Sequence, residues 1–380
     1  MKGIYIHIPF CTKICGYCDF PTAIGTARLF SEYVDLLLRE AEIRFRGKER
    51  FLSELSTAYF GGGTPTTLPL SEGIRLVRGL ESLGVEFQHL QEVNLEGNPD
   101  SATDSVLDTA RSLGFNRFSL GLQTFDDSLL QKIGRRGSAR ENRIALSRLI
   151  AFAENTGAAA SADLMFWLPG QTLERFESDV EELARSGIGH VSFYGLTLAA
   201  NTVLARRFEK ERFQLDESLY PAMYESGVRI LQAHGFDRYE VSNFAKPGME
   251  SLHNRNYWLR GEYLGLGPGA HGFEGNLRTA APSSFKEWKN WVLAGCPEAG
   301  MALDKLSSKE RVEERVWLSL RMREGLNLQI LEREEDVTIS LEKINRWVDR
   351  GLLNRNGCSI ALTGKGWLLM DSIVEDLMPD

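Results

Sequence analysis

Ile4-Tyr5-Ile6-His7-Ile8-Pro9-Phe10-Cys11-Thr12-Lys13-Ile14-Cys15-Gly16-Tyr17-Cys18-Asp19-Phe20 is the stretch from which the rest of the 380-residue chain is read. Ile4, Ile6 and Ile8 recur with the period of a strand that buries one face. Cys11, Cys15 and Cys18 follow at once in a C-x3-C-x2-C spacing, so three thiols sit on one loop at a strand end. Soft thiolates favour an iron–sulfur cluster or zinc. Three of them hold three irons of a 4Fe-4S cube and leave the fourth iron open. A four-coordinate structural zinc needs one more ligand, for which His7 is nearest.

Composition narrows the class. With 43% apolar and 25% charged residues the chain is an ordinary globular protein, long enough for one large α/β domain and a smaller one. A net charge of -8 argues against a broad nucleic-acid footprint, which requires a basic face. Five cysteines, three of them in one cluster, do not make a disulfide framework and point to a reducing compartment. Cys296 and Cys358 stand alone and read as partly buried small side chains. Met1-Lys2 passes directly into the first strand with no room for a signal peptide, and no apolar run approaches the roughly 18 residues of a membrane span. The expectation is a cytoplasmic protein.

Strand-like runs recur at residues 56–60, 92–96, 117–122, 160–166 and 190–196. Helical spacing fills residues 29–46, 104–113, 140–155 and 173–185 between them. Strands alternating with helices predict βαβ units and a parallel sheet. Six strands are too few for a closed eight-stranded barrel and suit an open partial one, whose function collects at the carboxyl ends of the strands. There stand Gly61-Gly62-Gly63-Thr64-Pro65, a turn whose glycines let backbone approach a ligand, and Glu96, a carboxylate suited to ribose hydroxyls. Gln123 ends the run at 117–122. Arg135 belongs to a pair of arginines that otherwise reads as solvated surface. Asp163 is a carboxylate flanked by apolar residues, which is expensive to bury without a partner.

The cysteine spacing resembles that of the radical SAM family, in which the amino and carboxylate groups of S-adenosylmethionine chelate the open iron. YIHIPFC and CGYCDF resemble the branch that holds the oxygen-independent coproporphyrinogen III oxidases and the HemW-type haem chaperones. The resemblance implies an α/β fold, the partial (β/α)6 barrel, with a 4Fe-4S cluster on Cys11, Cys15 and Cys18. It implies S-adenosylmethionine contacts at Gly62, Gly63 and Thr64 (methionine end), Glu96 (ribose), Gln123 (nucleoside), Arg135 (methionine carboxylate) and Asp163. Asp163 begins a segment like DLM-x-GLP-x-QT in which Trp167 stands where the pattern has glycine. Tyr5 and Tyr17 also correspond to positions near the cofactor, although core packing explains either.

The second half is less regular. Residues 218–234 read as a helix and 236–241 as a strand. Then come His253-Asn254-Arg255-Asn256-Tyr257-Trp258 and Gly265-Leu266-Gly267-Pro268-Gly269-Ala270-His271-Gly272. A histidine followed by Tyr and Trp offers an iron ligand and flat faces for a macrocycle. These segments resemble the HemW-type chaperones, which makes His253, Tyr257 and Trp258 candidate haem contacts and His271 the reserve ligand. Two departures from the oxidases agree: no fourth cysteine follows Cys18, and only ten residues precede Cys11. The implied function is a haem chaperone that carries haem or another porphyrin to haem-requiring acceptors such as respiratory enzymes. The alternative is oxidative decarboxylation of coproporphyrinogen III, and a third reading is a zinc-stapled structural protein. A homodimer stays open.

Residues 307–380 change character: amphipathic helices at 310–323 and 340–349, a hairpin near 358–363 and a last helix at 365–378. They resemble the small winged-helix-like carboxyl domain of the family. DNA binding is the rival reading of such a fold, and an acidic chain disfavours it. The expected division is therefore 1–240 (barrel), 241–306 (connecting region) and 307–380 (carboxyl domain).

Overall fold

The computed structural model describes residues 1–378. Six parallel strands carry the first half: β1 (Lys2–Ile8), β2 (Leu55–Gly62), β3 (Glu92–Gly97), β4 (Arg117–Gln123), β5 (Ala159–Phe166) and β6 (His190–Gly195). They lie side by side in chain order, as successive βαβ units require. Ala27–Arg44, Leu70–Ser82, Asp104–Ser112, Ala139–Thr156 and Leu173–Arg185 are helices between them.

Period-2 alternation sorts the two faces of this sheet. Ile4, Ile6, Ala58, Phe60, Leu95, Phe118 and Leu120 are buried in the main apolar core. The intervening positions, Tyr5, Tyr59, Asn94, Glu96, Ser119 and Asp163, form the opposite, polar face. In register, Tyr5 pairs with Tyr59 and Tyr59 with Asn94, while Glu96 pairs with Ser119 and Gly121 with Asp163. The expected six-stranded parallel barrel is therefore present, and its concave face carries the chemistry.

The region expected to connect two domains extends the same sheet instead. β7 (Glu262–Leu266) pairs parallel with β1, making a seventh parallel strand, and β8 (His271–Glu274), β9 (Leu277–Ala280) and β10 (Ala302–Lys305) continue antiparallel. At the other edge the strand expected at 236–241 is replaced by two short ones. Asp237–Arg238 and Asn243–Ala245 pair antiparallel with each other, and the latter with β6. The turn between them lets Glu240 accept from its own Ser242 N–H at 3.1 Å.

One buried ion pair ties the two halves. Glu92 on β3 and Arg117 on β4 meet at 2.9 Å with both side chains only 5 % exposed. Helix α1 (Leu252–Trp258) presents its amino end to that carboxylate: Leu252 N–H and His253 N–H donate to Glu92 at 2.9 and 3.0 Å, and the Ser251 hydroxyl at 2.9 Å. A carboxylate is stabilised there by the orphan amides and the helix dipole. Arg117 spends its remaining nitrogens on Ser161 Oγ and the Met249 and Glu250 carbonyls.

The carboxyl-terminal residues pack four helices, α2 (Ser308–Leu320), Leu328–Glu335, Leu341–Asp349 and Met370–Leu377, with a three-stranded sheet. α2 starts at a capping box in which Ser307 and Glu310 satisfy each other's amides. The expected hairpin is Leu353–Asn356 against Ser359–Leu362. The final two residues of the 307–380 division lie outside the described residues.

Removing the charge from Glu92 leaves Arg117 buried without a counter-ion, a defect that costs about 3 kcal/mol or more. Glu92→Gln is expected to lower the urea midpoint accordingly, and an unchanged midpoint would show that the clamp does not hold the halves together.

Candidate functional site

The cysteine loop is pinned at both ends. Gly63 N–H donates to the Ile8 carbonyl at 2.8 Å and Thr64 N–H to the Phe10 carbonyl at 2.7 Å, while Gly16 N–H reaches Ile133 O at 2.9 Å and Leu204 N–H reaches Gly16 O at 2.7 Å. The glycine turn has no room for side chains. A Cβ on Gly62, whose φ is +109°, would stand 2.4 Å from the His7 ring, and one on Gly63 would meet the Pro9 backbone at 2.7 Å. This is why three glycines end β2.

Cys11, Cys15 and Cys18 are free, half-buried thiols. Burial pushes the Cys11 and Cys18 thiols up. Thr64 Oγ1 opposes this at Cys11, donating to its Sγ at 3.5 Å, and Arg135 Nη1 donates to Cys15 Sγ at 3.7 Å. Hydrogen-bonded sulfurs on one half-buried rim fit an iron–sulfur cluster, in which each thiolate takes its own iron. His7, the fourth ligand that a zinc site would take, is engaged elsewhere, its Nε2 on Pro21 O at 2.9 Å and its Nδ1 on the Tyr5 hydroxyl at 3.0 Å.

Next to the thiols a cavity of about 150 Å³ is lined by Tyr17, Gly62, Gly63, Thr64, Glu96, Gln123, Arg135 and Asp163. The structure thus brings together eight of the nine residues expected at S-adenosylmethionine. Tyr5 is the exception: it sits beside Tyr59 with ring centroids 6.1 Å apart, and it lines a different cavity. Glu96 accepts from the Tyr59 hydroxyl in a short hydrogen bond and from Gly62 N–H at 3.2 Å. Arg135 donates to Asn98 Oδ1 at 2.7 Å and to the Gly121 carbonyl, and Asn98 donates to Thr64 Oγ1 at 3.0 Å. A guanidinium–amide–hydroxyl chain therefore ends on the Cys11 sulfur. Gln123 lies at a bulge with φ +70°, which turns its side chain to Tyr194, whose hydroxyl donates to it at 3.2 Å. Burial, and then the nearby Glu96 charge, push the Asp163 carboxyl up to about 7 against the opposing Ser192 and Arg135.

The haem candidates separate. His253 is 0 % exposed and has no nitrogen to offer: Nδ1 is on Thr57 Oγ1 and Nε2 on the Tyr257 hydroxyl, each at 2.8 Å. Burial lowers its pKa to about 3, so the ring is a neutral staple between β2 and α1. His253, the first-choice iron ligand expected from sequence, thus has both ring nitrogens in buried hydrogen bonds. His271, the reserve, is exposed on β8, its ring without a hydrogen-bond partner among the described residues, and it lines a cavity of about 710 Å³ with Tyr257, Tyr263, Tyr5 and Phe20. Phe20 also lines the cavity at the thiols, so the two compartments share a wall. Trp258 faces neither, lining instead a cleft against the carboxyl-terminal helices.

Residues 5–183 match the family model described as the Radical SAM superfamily, and residues 306–369 match the HemN C-terminal domain. The chain is 34% identical to a protein named "Heme chaperone HemW" from Lactococcus lactis, over 100% of this chain and 98% of that one. It is 33% identical to one of the same name from Bacillus subtilis, over 98% of each. The chain belongs to the HemW family of radical SAM proteins. Membership of the radical SAM family implies a 4Fe-4S cluster and S-adenosylmethionine. The fold is also that of the solved coproporphyrinogen III oxidase (HemN) from Escherichia coli, with a TM-score of 0.84 at 23% identity over 99% of this chain and 90% of that one. Among the described residues of this HemW-family chain no helix is long and apolar enough to cross a membrane.

Tyr59, Asn98, Ser192 and Tyr194 were missed from sequence. Only Asn98 carried a signal, lying two residues beyond Glu96 in the same Asn94-Leu95-Glu96-Gly97-Asn98-Pro99 run. After anaerobic reconstitution, Cys11→Ala, Cys15→Ala and Cys18→Ala are each expected to retain almost none of the wild-type iron, measured by iron and sulfide content; full iron in any of them would remove that thiol from the site. Asp163 has a second consequence. A carboxyl whose folded pKa is raised stabilises the fold at low pH and loses that stability as pH climbs from about 4 to about 7. The apoprotein should therefore lose stability over that window relative to Asp163→Asn, by up to about 1.4 kcal/mol per pH unit. Parallel pH profiles of urea unfolding would contradict the assignment.

Proposed function

We propose that the chain is a haem carrier: it binds haem in the 710 Å³ cavity with His271 on the iron and delivers it to haem-requiring proteins, respiratory enzymes among them. The observation that carries this reading is a free imidazole on the wall of a tyrosine-lined cavity of that volume, within the range of sites that enclose a cofactor. Partial desolvation of the ring against the cavity wall and the nearby Arg278 charge lower the His271 pKa, which favours the neutral imidazole that ligates iron. The relatives from Lactococcus lactis and Bacillus subtilis, both named haem chaperones, support the same cargo.

Cys11, Cys15 and Cys18 hold the cluster in this reading, and Tyr17, Gly62, Gly63, Thr64, Glu96, Gln123, Arg135 and Asp163 hold S-adenosylmethionine. When bound, the cluster supplies an electron-transfer centre with one open iron. This chain's own residues then do the positioning. Arg135 and the Gly62 and Gly63 backbone receive the methionine end, and Glu96 receives the ribose. Phe20 separates that compartment from the haem. The chain acts in the cytoplasm, alone or as a homodimer, with residues 307–380 as its carboxyl module and 241–306 bearing the haem cavity.

Anaerobic haem titration of the reconstituted protein tests the reading. A saturable Soret shift is expected for wild type, lost in His271→Ala and retained in His253→Ala, which instead melts at lower temperature because two buried hydrogen bonds are gone. Wild-type binding by His271→Ala would overturn the ligand assignment. Catalytic conversion of coproporphyrinogen to protoporphyrinogen would replace the carrier reading with the oxidase one.

A further inference from the structure

β3 ends at Gly97, and the chain leaves the sheet through Asn98-Pro99. A following proline disfavours the helical region for Asn98 and keeps it close to the strand's own direction. The Asn98 carbonyl accepts from Ser101 N–H at 3.0 Å and Ala102 N–H at 2.9 Å, and its N–H donates to Ser101 Oγ at 3.4 Å. With its backbone held on both sides, the half-buried residue lines the cavity beside the thiols.

Donor chemistry fixes how the amide lies. A guanidinium only donates, so the atom that Arg135 Nη2 meets at 2.7 Å is the amide oxygen. The amide nitrogen is thereby turned to Thr64, whose Oγ1 it reaches at 3.0 Å. That nitrogen also donates, so the hydroxyl oxygen is the acceptor and its own hydrogen leaves on another side. Cys11 Sγ stands there, 3.5 Å away. Thr64 is only 3 % exposed, so bulk water offers the hydrogen little alternative.

Arg135 keeps its place without Asn98, because it also donates to the Gly121 carbonyl and to Cys15 Sγ at 3.7 Å. Cys18 draws on the Phe20 backbone amide. Asn98 therefore serves one sulfur, that of Cys11. Hydrogen bonds onto cluster sulfurs stabilise the more negative, reduced state and raise the potential. In a chain of such bonds each donor polarises the next, so the Arg135 charge strengthens a bond two links away.

We propose that Asn98 is a positioning residue for the cluster: by accepting from Arg135 and donating to Thr64 it aims the Thr64 hydroxyl at Cys11 Sγ and so raises the cluster's reduction potential. The proposal rests on the assignment of the cluster to Cys11, Cys15 and Cys18 and adds to it a residue that tunes it without touching it.

Potentiometric titration of the reconstituted full chain without S-adenosylmethionine, followed by the electron paramagnetic resonance of the reduced cluster, tests it. Asn98→Ala should shift the one-electron reduction equilibrium about ten-fold toward the oxidised cluster, a midpoint lower by about 59 mV. Thr64→Val, which keeps the shape and removes the hydroxyl, should lower it as far. The double variant should go no lower than Thr64→Val alone, since Asn98 acts through that hydroxyl. Asn98→Leu keeps the bulk with neither donor nor acceptor; it should match Asn98→Ala and carries the test if the alanine variant takes up less iron. A wild-type midpoint in a fully loaded Asn98 variant, or shifts that add in the double variant, overturns the proposal and leaves the cluster assignment standing. Loss of iron from both Asn98 variants, with Thr64→Val fully loaded, would make Asn98 a structural post of the loop and overturn its tuning role. Wild type that takes up no iron overturns both.

Discussion

Two backbone hydrogen bonds, from Gly63 N–H to the Ile8 carbonyl and from Thr64 N–H to the Phe10 carbonyl, fasten the cysteine loop to the turn that ends the second strand. Everything at the site inherits its position from them. They fix Thr64 where its hydroxyl reaches Cys11, and Asn98 and Arg135 extend the same chain of donors across the third and fourth strand ends. They also explain the glycines, because a Cβ at Gly62 or Gly63 would force the turn away from the loop and break the registry of thiols and cavity. A flexible loop of three cysteines becomes a rigid rim by being hydrogen-bonded to a parallel sheet.

The same sheet divides the molecule by polarity. One face of each strand gives the apolar core, and the other collects tyrosines, carboxylates and amides that would be costly to bury singly. They are affordable as a set because each answers another: Tyr59 and Gly62 on Glu96, Ser192 on Asp163, Tyr194 on Gln123. The two carboxyls, Glu96 and Asp163, are both pushed up by burial, and Arg135 and Lys13 bring positive charge to the cavity wall. A zwitterionic ligand such as S-adenosylmethionine finds groups of both signs in such a lining. Glu92 and Arg117 perform the corresponding service at the junction with α1, so that the segment bearing His253 and His271 is set rigidly against the barrel.

Sequence carried the architecture where local pattern determines it. The isoleucine alternation in β1, the strand–helix rhythm to residue 195 and the ends of Leu173–Arg185 follow from periodicity. The residues expected at S-adenosylmethionine came from the family resemblance, and the structure gathers eight of the nine around one cavity at the strand ends. What periodicity cannot encode is pairing between distant segments. β7 joins β1 across more than two hundred residues, and no local alternation marks residues 262–266 as its partner. A His-x3-Tyr spacing on a helix puts the two rings in contact at i and i+4, which satisfies His253 internally, whereas the ring of the strand residue His271 makes no hydrogen bond among the described residues. Tyr5 was placed by correspondence with the cofactor, whereas its hydroxyl turns to His7. Trp167 departs from the family's glycine at a position with φ +61°, a conformation that favours glycine; its indole N–H to Asp216 O at 2.7 Å and its edge-on contact with Tyr220 anchor it.

The central claim is that the three thiols and the neighbouring cavity form one site, in which an iron left open by the protein meets S-adenosylmethionine. Electron paramagnetic resonance of the reduced, reconstituted protein with and without S-adenosylmethionine tests it most directly. The account predicts a 4Fe-4S signal whose g-values shift on adding S-adenosylmethionine. A signal indifferent to S-adenosylmethionine, or a colourless protein that takes up zinc in place of iron, would contradict it.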